Sequence, residues 1–203
     1  MNERELVKRA KAGDFNAFTT LVNDNKNRIY SLAIKMTGNA EDAEDIVQET
    51  FLRVIDNIDR FREESSFGTW LYSIALNQTR ALLAKQKQTD LKPIEEYLPT
   101  QTAENLHEKS IPGFFEWKDP HKELEDEELK KIIDKTIDSL PLKYKEAFLL
   151  RYIEELPIKE VAKIINESVA STKSRVLRAR LAIREQLSKV FEERYGKKMF
   201  RLR

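Results

Sequence analysis

Apolar positions recur at helical spacing through the first 87 residues of the chain. Leu6, Val7 and Ala10 form a short stripe that ends at Gly13. Asp14 is placed to cap a second helix, where Ala17, Phe18, Leu21 and Val22 follow i, i+3, i+4 spacing. Ile29, Leu32, Ala33 and Met36 carry that stripe onward; Gly38 then suits a stop and Asn39 the next cap. A third helix sets Ala43, Ile46, Val47, Thr50, Phe51, Val54, Ile55 and Ile58 on one side. Ser65 or Ser66 caps a fourth, with Phe67, Trp70, Leu71, Ile74, Ala75 and Leu82 inward. The pattern predicts a compact helical bundle.

From about Gln88 to Pro120 the periodicity dissolves. Four of the six prolines lie there (Pro93, Pro99, Pro112 and Pro120), and no apolar stripe persists. The stretch is longer than ordinary connections within a domain and reads as a partly extended interdomain linker. Helical spacing returns with Leu124, Leu129, Ile132, Ile133, Thr136, Ile137 and Leu140, stopped by Pro141. Ala147, Phe148, Leu150 and Ile153 follow. Pro157 then fits the first turn of a short helix holding Ile158, Val161, Ala162, Ile164 and Ile165. A turn at Asn166, Glu167 and Ser168 leads to a long helix from about Ser171 to beyond Leu187. Short helix, tight turn and long basic helix together outline a helix-turn-helix. The fold class expected is therefore all-α, two helical domains joined by a largely irregular linker.

Composition narrows the functions open to such a chain. It has 203 residues, no Cys, two His, five Gly and six Pro, with 35% charged residues. Without Cys there is no disulfide framework, no thiolate zinc site and no thiol nucleophile. The segment MNERELVKRAKAGD lacks the apolar core of a secretory signal. No apolar run approaches the roughly 20 residues of a membrane helix, so no membrane insertion and a cytoplasmic location are expected. The net charge of +1 conceals a strong asymmetry. Residues 1–87 hold 13 Lys/Arg against 13 Asp/Glu, residues 88–128 hold 4 against 12, and residues 129–203 hold 19 against 10. A polyanion responds to the local field, so the basic last third matters more than the sum.

The final helix concentrates that charge. Lys173, Arg175, Arg178, Arg180 and Arg184 fall within its first turns, with Thr172 and Ser174 between them, while Val176, Ala179, Ile183 and Leu187 form the inward stripe. In a helix-turn-helix the second helix enters the major groove with its N-terminal residues at base edges. Basic and polar side chains there supply phosphate contacts and bidentate base contacts. A basic helix can also be merely solvated or bind an acidic protein, but the preceding short helix and turn favour DNA.

Here the sequence resembles a known family. The segment LPLKYKEAFLLRYIEELPIKEVAKIINESVASTKSRVLRARLAIREQL is similar to the C-terminal, −35-reading domain of bacterial sigma-70-family factors. GNAEDAEDIVQETFLRV resembles the core-binding helix of their region 2, and FREESSFGTWLYSIALNQTRALLAK its −10-reading helix. The two regions alone, in order and joined by one linker, resemble the extracytoplasmic-function (ECF) group. The resemblance implies region 2 over residues 1–87, a linker over 88–121, and region 4 with a basic tail over 122–203. It implies an alternative sigma factor that has no catalysis and no cofactor or metal of its own. Its expected partners are core RNA polymerase (the β′ clamp and the β subunit), promoter DNA as −35 duplex and −10 single strand, and an anti-sigma factor.

Site residues follow from the same resemblance. Asp42, Asp45, Gln48 and Glu49 would face the polymerase clamp, although acids at a helix N-terminus also complement the macrodipole. Arg60, Phe61, Ser65, Ser66, Asn77, Arg80 and Lys85 would hold the −10 strand, with the loop around residues 60–66 capturing a flipped base. Phe67 and Trp70 fit the core stripe better than a stacking surface. Thr172, Lys173, Ser174, Arg175, Leu177 and Arg178 would read the −35 duplex. The family often has Pro and Gly where this chain has Ser168 and Ala170, a departure that bears on how the reading helix enters the groove. The acidic linker should avoid DNA, and its Phe114, Phe115 and Trp117 are candidates to anchor it in an apolar groove. The basic tail suits non-specific phosphate contact. Two other readings stay open: a self-sufficient helix-turn-helix regulator with an N-terminal effector or dimerisation bundle, and a nucleotide hydrolase using clustered carboxylates. The hydrolase is poorly supported, because there is no P-loop and both His107 and His121 lie in or beside the linker.

Overall fold

The computed structural model describes residues 2–87 and 123–195, and every regular element among them is helical. The linker with Phe114, Phe115 and Trp117, and residues 196–203 of the basic tail, lie outside the described residues. Four helices build the N-terminal bundle: α1 (Glu3–Lys11), α2 (Phe15–Thr37), α3 (Ala40–Asn57) and α4 (Phe67–Lys87). Four more follow: α5 (Glu123–Asp138), α6 (Leu142–Phe148), α7 (Ile158–Ile165) and α8 (Val169–Tyr195). A 3₁₀ turn at Ile58–Arg60 closes α3, and a π-helical turn at Leu149–Ile153 extends α6.

The caps explain why these boundaries fall where they do. The Asp14 carboxylate accepts from the Asn16 and Ala17 amides at 2.9 and 3.1 Å, satisfying donors that the first turn of α2 leaves open. Its other oxygen takes two N–H bonds from Arg9, at 2.8 and 2.6 Å. Gly38 ends α2 at φ 70°, and Asn39 caps α3 through the Glu41 and Asp42 amides. Of the two serines that could start α4, Ser66 takes the role: its Oγ accepts from the Thr69 amide at 3.1 Å.

Buried apolar residues of both halves join in one contiguous cluster, from Leu6 and Leu21 through Phe67 and Leu71 to Leu149, Val161 and Ala179. The two domains thus pack on each other, α4 against α7 and α2 against the π-helical turn. Three boundary expectations change. Ile55, expected inward, is 55% exposed, because α3 turns that position away from α2 and α4. Pro157 immediately precedes α7 instead of occupying its first turn. The last helix starts at Val169, two residues before the expected Ser171, because Ser168 caps it.

Candidate nucleic-acid interface

The helix-turn-helix is built by backbone geometry at three residues. Asn166 takes a left-handed conformation at φ 57°, which Asn tolerates better than most side chains. The Glu167 amide then donates back to the Ala162 carbonyl at 2.9 Å, closing α7. Ser168 opens α8: its Oγ accepts from the Ser171 amide at 3.1 Å, and its carbonyl accepts from the Thr172 amide at 2.9 Å. A serine at 168 therefore leaves α8 capped.

Along α8, Val176, Ala179, Ile183 and Leu187 are buried as the stripe predicts. Lys173, Arg178 and Arg184 are exposed, and Ser174, Arg175, Leu177 and Arg180 are half-buried. Arg175 pairs with Glu167 in the turn, and Arg178 donates to the Tyr144 hydroxyl at 3.3 Å. Arg180 lies over the Tyr152 ring, 5.9 Å from its centre. Thr172 departs from expectation: it is wholly buried, and its hydroxyl donates to the Ser168 carbonyl at 2.9 Å. Both facts make it a packing residue, not one presented to DNA. Among the described residues, the exposed basic residues of α8 are thus Lys173, Arg178, Arg184 and, further along, Lys189, which pairs with Glu185 at 2.8 Å.

On α3 the expected polar face is present. Asp45 and Gln48 are exposed, Glu49 pairs with Arg53 at 2.8 Å, and Asp42 accepts from the Gln86 amide group at 3.0 Å. Leu52 and Ile55 continue the same side of the helix, 56% and 55% exposed. Sequence periodicity missed this apolar extension, since it counted Ile55 as inward and gave Leu52 no role. The signal was available, because Leu52 is out of phase with the Ala43, Ile46 and Thr50 stripe.

The loop before α4 and the face of α4 hold the third group. Arg60 and Ser66 are exposed, Ser65 is half-buried, and Asn77 and Lys85 sit on the outer side of α4. Phe61 is a correction. It is 5% exposed, stacked on Trp70 with ring centres 5.0 Å apart, and edge-on to Phe67 at 5.9 Å. Its apolar ring is worth more in that aromatic cluster than exposed, so it supports the loop from beneath. Lys11 fixes the same residue by donating to the Phe61 carbonyl at 2.5 Å. Beneath the loop, α1 and α7 enclose a groove of about 370 Å³ lined by Arg4, Glu63, Ser65, Ser66, Glu160 and Lys163.

Arg80 has a partner that its sequence position does not foretell. Its guanidinium donates two hydrogen bonds to Glu146 of α6, at 2.7 and 2.6 Å, and this carboxylate holds Arg80 above its usual pKa. The neighbouring Tyr72 donates to Glu154, which also sits 3.6 Å from Arg28. Burial, followed by the Glu154 carboxylate, pushes the Tyr72 hydroxyl well above the ordinary phenol value. Among the described residues no cluster of His, Asp and Glu is placed to hold a metal ion, and no helix is long and apolar enough to cross a membrane.

Comparison with known proteins agrees with this geometry. Residues 21–89 match the family description Sigma-70 region 2, and residues 130–183 match Sigma-70, region 4. The ECF RNA polymerase sigma factor SigW of Bacillus subtilis (strain 168) is 36% identical over 184 residues, covering 91% of this chain and 96% of that protein. Among solved structures, CnrH in complex with the cytosolic domain of CnrY aligns with a TM-score of 0.66 at 22% identity, over 92% of this chain and 97% of that one. The sigma factor RpoE in complex with the anti-sigma factor NepR from Bartonella quintana aligns with a TM-score of 0.59 at 23% identity, over 86% and 97%. Two helical domains in the expected order, a capped basic α8 and an acidic face on α3 accompany these matches: the chain belongs to the ECF group of the sigma-70 family and is an alternative sigma factor.

Proposed function

We propose that this sigma factor divides its work among three surfaces. The side of α3 bearing Asp45, Gln48 and Glu49, prolonged by Leu52 and Ile55, docks on the β′ clamp of core RNA polymerase. Its exposed apolar pair supplies area to bury, and its acids supply orientation. The N-terminal turns of α8 enter the −35 major groove, where Lys173 binds phosphate and Arg178 reaches base edges. Arg60, Ser65, Ser66, Asn77, Arg80 and Lys85 hold the melted −10 strand. The domains 1–87 and 122–203 act through the tether 88–121, so two modest DNA contacts gain from effective concentration.

On this reading the chain contributes recognition and strand separation, and the polymerase makes the bonds. It works in the cytoplasm beside the nucleoid, with an anti-sigma factor as restraint, since both aligned structures are complexes and the second is named as one with an anti-sigma factor. The single observation that carries the proposal is the Ser168-capped α8, whose Lys173 and Arg178 are exposed near its start while Val176, Ala179, Ile183 and Leu187 are buried. Its test is run-off transcription by purified bacterial core polymerase and this protein on a promoter library. Sequence-dependent transcripts support it; failure to bind core polymerase overturns it.

A further inference from the structure

Helix α1 has no part in the three surfaces proposed above and lies outside the residues matched to Sigma-70 region 2. Its apolar side, Leu6, Val7 and Ala10, is buried in the bundle and fixes the helix on its neighbours. From that base two polar side chains reach the loop before α4, one at each end. The Lys11 ammonium donates to the Phe61 carbonyl at 2.5 Å and lies 5.7 Å from the centre of the Phe61 ring. The Glu3 carboxylate accepts from the Phe67 amide at 3.2 Å. That amide is one of the donors a helix start leaves open, and a negative charge there also complements the dipole of α4.

What lies between these anchors makes them consequential. Arg62, Glu63, Glu64 and Ser66 are exposed and Ser65 is half-buried, so the segment has little packing of its own to hold a shape. Glu63 nevertheless stands in the left-handed region at φ 57°, which a side chain larger than Gly keeps only where its surroundings enforce it. Lys163 of α7 donates to the Glu64 carbonyl at 3.3 Å, but from the second domain. Lys11 and Glu3 belong to the same bundle as the loop, so their hold is independent of that domain. We propose that Lys11 and Glu3 are positioning residues for the −10 loop, fixing its two ends at the spacing with which residues 62–66 discriminate bases. The inference rests on the proposed −10 role of that loop. Neither side chain has to touch DNA to act in this way.

Two measurements on the full chain test it. The first needs no DNA: trypsin cuts after the exposed Arg62, and cleavage within a loop follows the fraction of time it is loose. The second is run-off transcription with core polymerase from promoters that differ only in the −10 element, read as the ratio of preferred to substituted sequence. Lys11→Met with Glu3→Ala removes both anchors and should speed cleavage after Arg62 about tenfold. It should also shrink a preference of roughly tenfold, ordinary for one base change, to about twofold, with −35 preference unchanged. Lys11→Arg with Glu3→Gln keeps a donor and an acceptor and should match wild type in both readouts. Lys8→Met with Glu5→Ala removes the same charges from exposed positions of α1 and should also match wild type.

The sign of the Glu3 effect separates positioning from charge. Losing an acid near DNA tightens binding through the field alone, whereas losing an anchor lowers discrimination. Unchanged cleavage in the Lys11, Glu3 variant overturns the inference. So does faster cleavage with the −10 preference intact, or a lost preference without faster cleavage, which would make Lys11 a direct DNA contact. Equal effects from the conservative pair or from the Lys8, Glu5 control overturn it as well. Should the double variant fail to fold, Lys11→Met and Glu3→Ala singly carry the same readouts with smaller changes. A wild type without any −10 preference refutes the proposed function instead, and cleavage after Arg62 then judges the anchors alone.

Discussion

Ser168 offers a direct test of how α8 is built. Its Oγ accepts the Ser171 amide at 3.1 Å, one of the donors a helix start leaves open, while the residue itself is exposed. Ser168→Ala removes that acceptor and little else, so the loss should be near the usual cap value of about 1 kcal/mol. With the two domains unfolding together, that corresponds to a fall of roughly 2–4 °C in Tm for a chain of this size. Ser168→Gly should cost only a few tenths of a kcal/mol. Ser168→Asp should match wild type in stability, since an aspartate caps as well and complements the dipole. With α8 in the −35 groove as proposed, the same aspartate would bring a negative charge to the DNA-facing end of the helix, so duplex affinity should fall while stability holds. Urea unfolding followed by helical circular dichroism gives the stabilities, and fluorescence anisotropy with a −35 duplex gives the affinities. If Ser168→Ala is as stable as wild type, or if Ser168→Asp destabilises, the side chain is not the cap that the geometry describes.

Other predictions bear on the remaining surfaces. Charge reversal by Asp45→Lys with Glu49→Lys, or Leu52→Ser with Ile55→Ser, should weaken core-polymerase binding with an unchanged unfolding midpoint; unaltered core affinity would reject the α3 assignment. Arg178→Ala should reduce discrimination among −35 sequences by about 1–3 kcal/mol, whereas Lys173→Ala should lower affinity for all of them alike. The Thr50 hydroxyl is buried with no hydrogen-bond partner among the described residues, so Thr50→Val should raise stability by about 1 kcal/mol in denaturant titrations. The Ala17 amide, the Arg9 side chain and the Asn16 amide hold the Asp14 carboxyl below its ordinary pKa despite a counteracting desolvation, and a depressed carboxyl loses its contribution as pH falls through its folded value. The stability advantage of wild type over Asp14→Asn should thus be full above about pH 4 and shrink on acidification, as pH-dependent thermal unfolding would show.

What could be read from the chain alone was whatever local physics decides. Cap residues such as Asp14, Asn39 and Ser66, the Gly38 stop and the Asn166 turn act within a few residues, and their signals are in the sequence. So is the division of α8 into a buried stripe and a basic face, since helical phase alone sets it. The resemblance of GNAEDAEDIVQETFLRV and the region-4 segment then gave the family that the comparisons show. Phe61 escaped that reading because only the aromatic partners Trp70 and Phe67, brought together by folding, decide whether a loop ring points in or out. Ile55 was misplaced because a broad apolar stripe does not say where its edge meets solvent. The contact between the two domains was invisible for a deeper reason. Arg80 and Glu146 are 66 residues apart, and nothing local marks an arginine on a helix as the partner of a distant acid. Charge counting treated the acids of the basic third as a minority that lowered its sum. Tertiary packing turned Glu146, Glu154 and Glu160 toward the other domain, where a buried carboxylate must find a donor and Arg80, Tyr72 and Thr69 supply it.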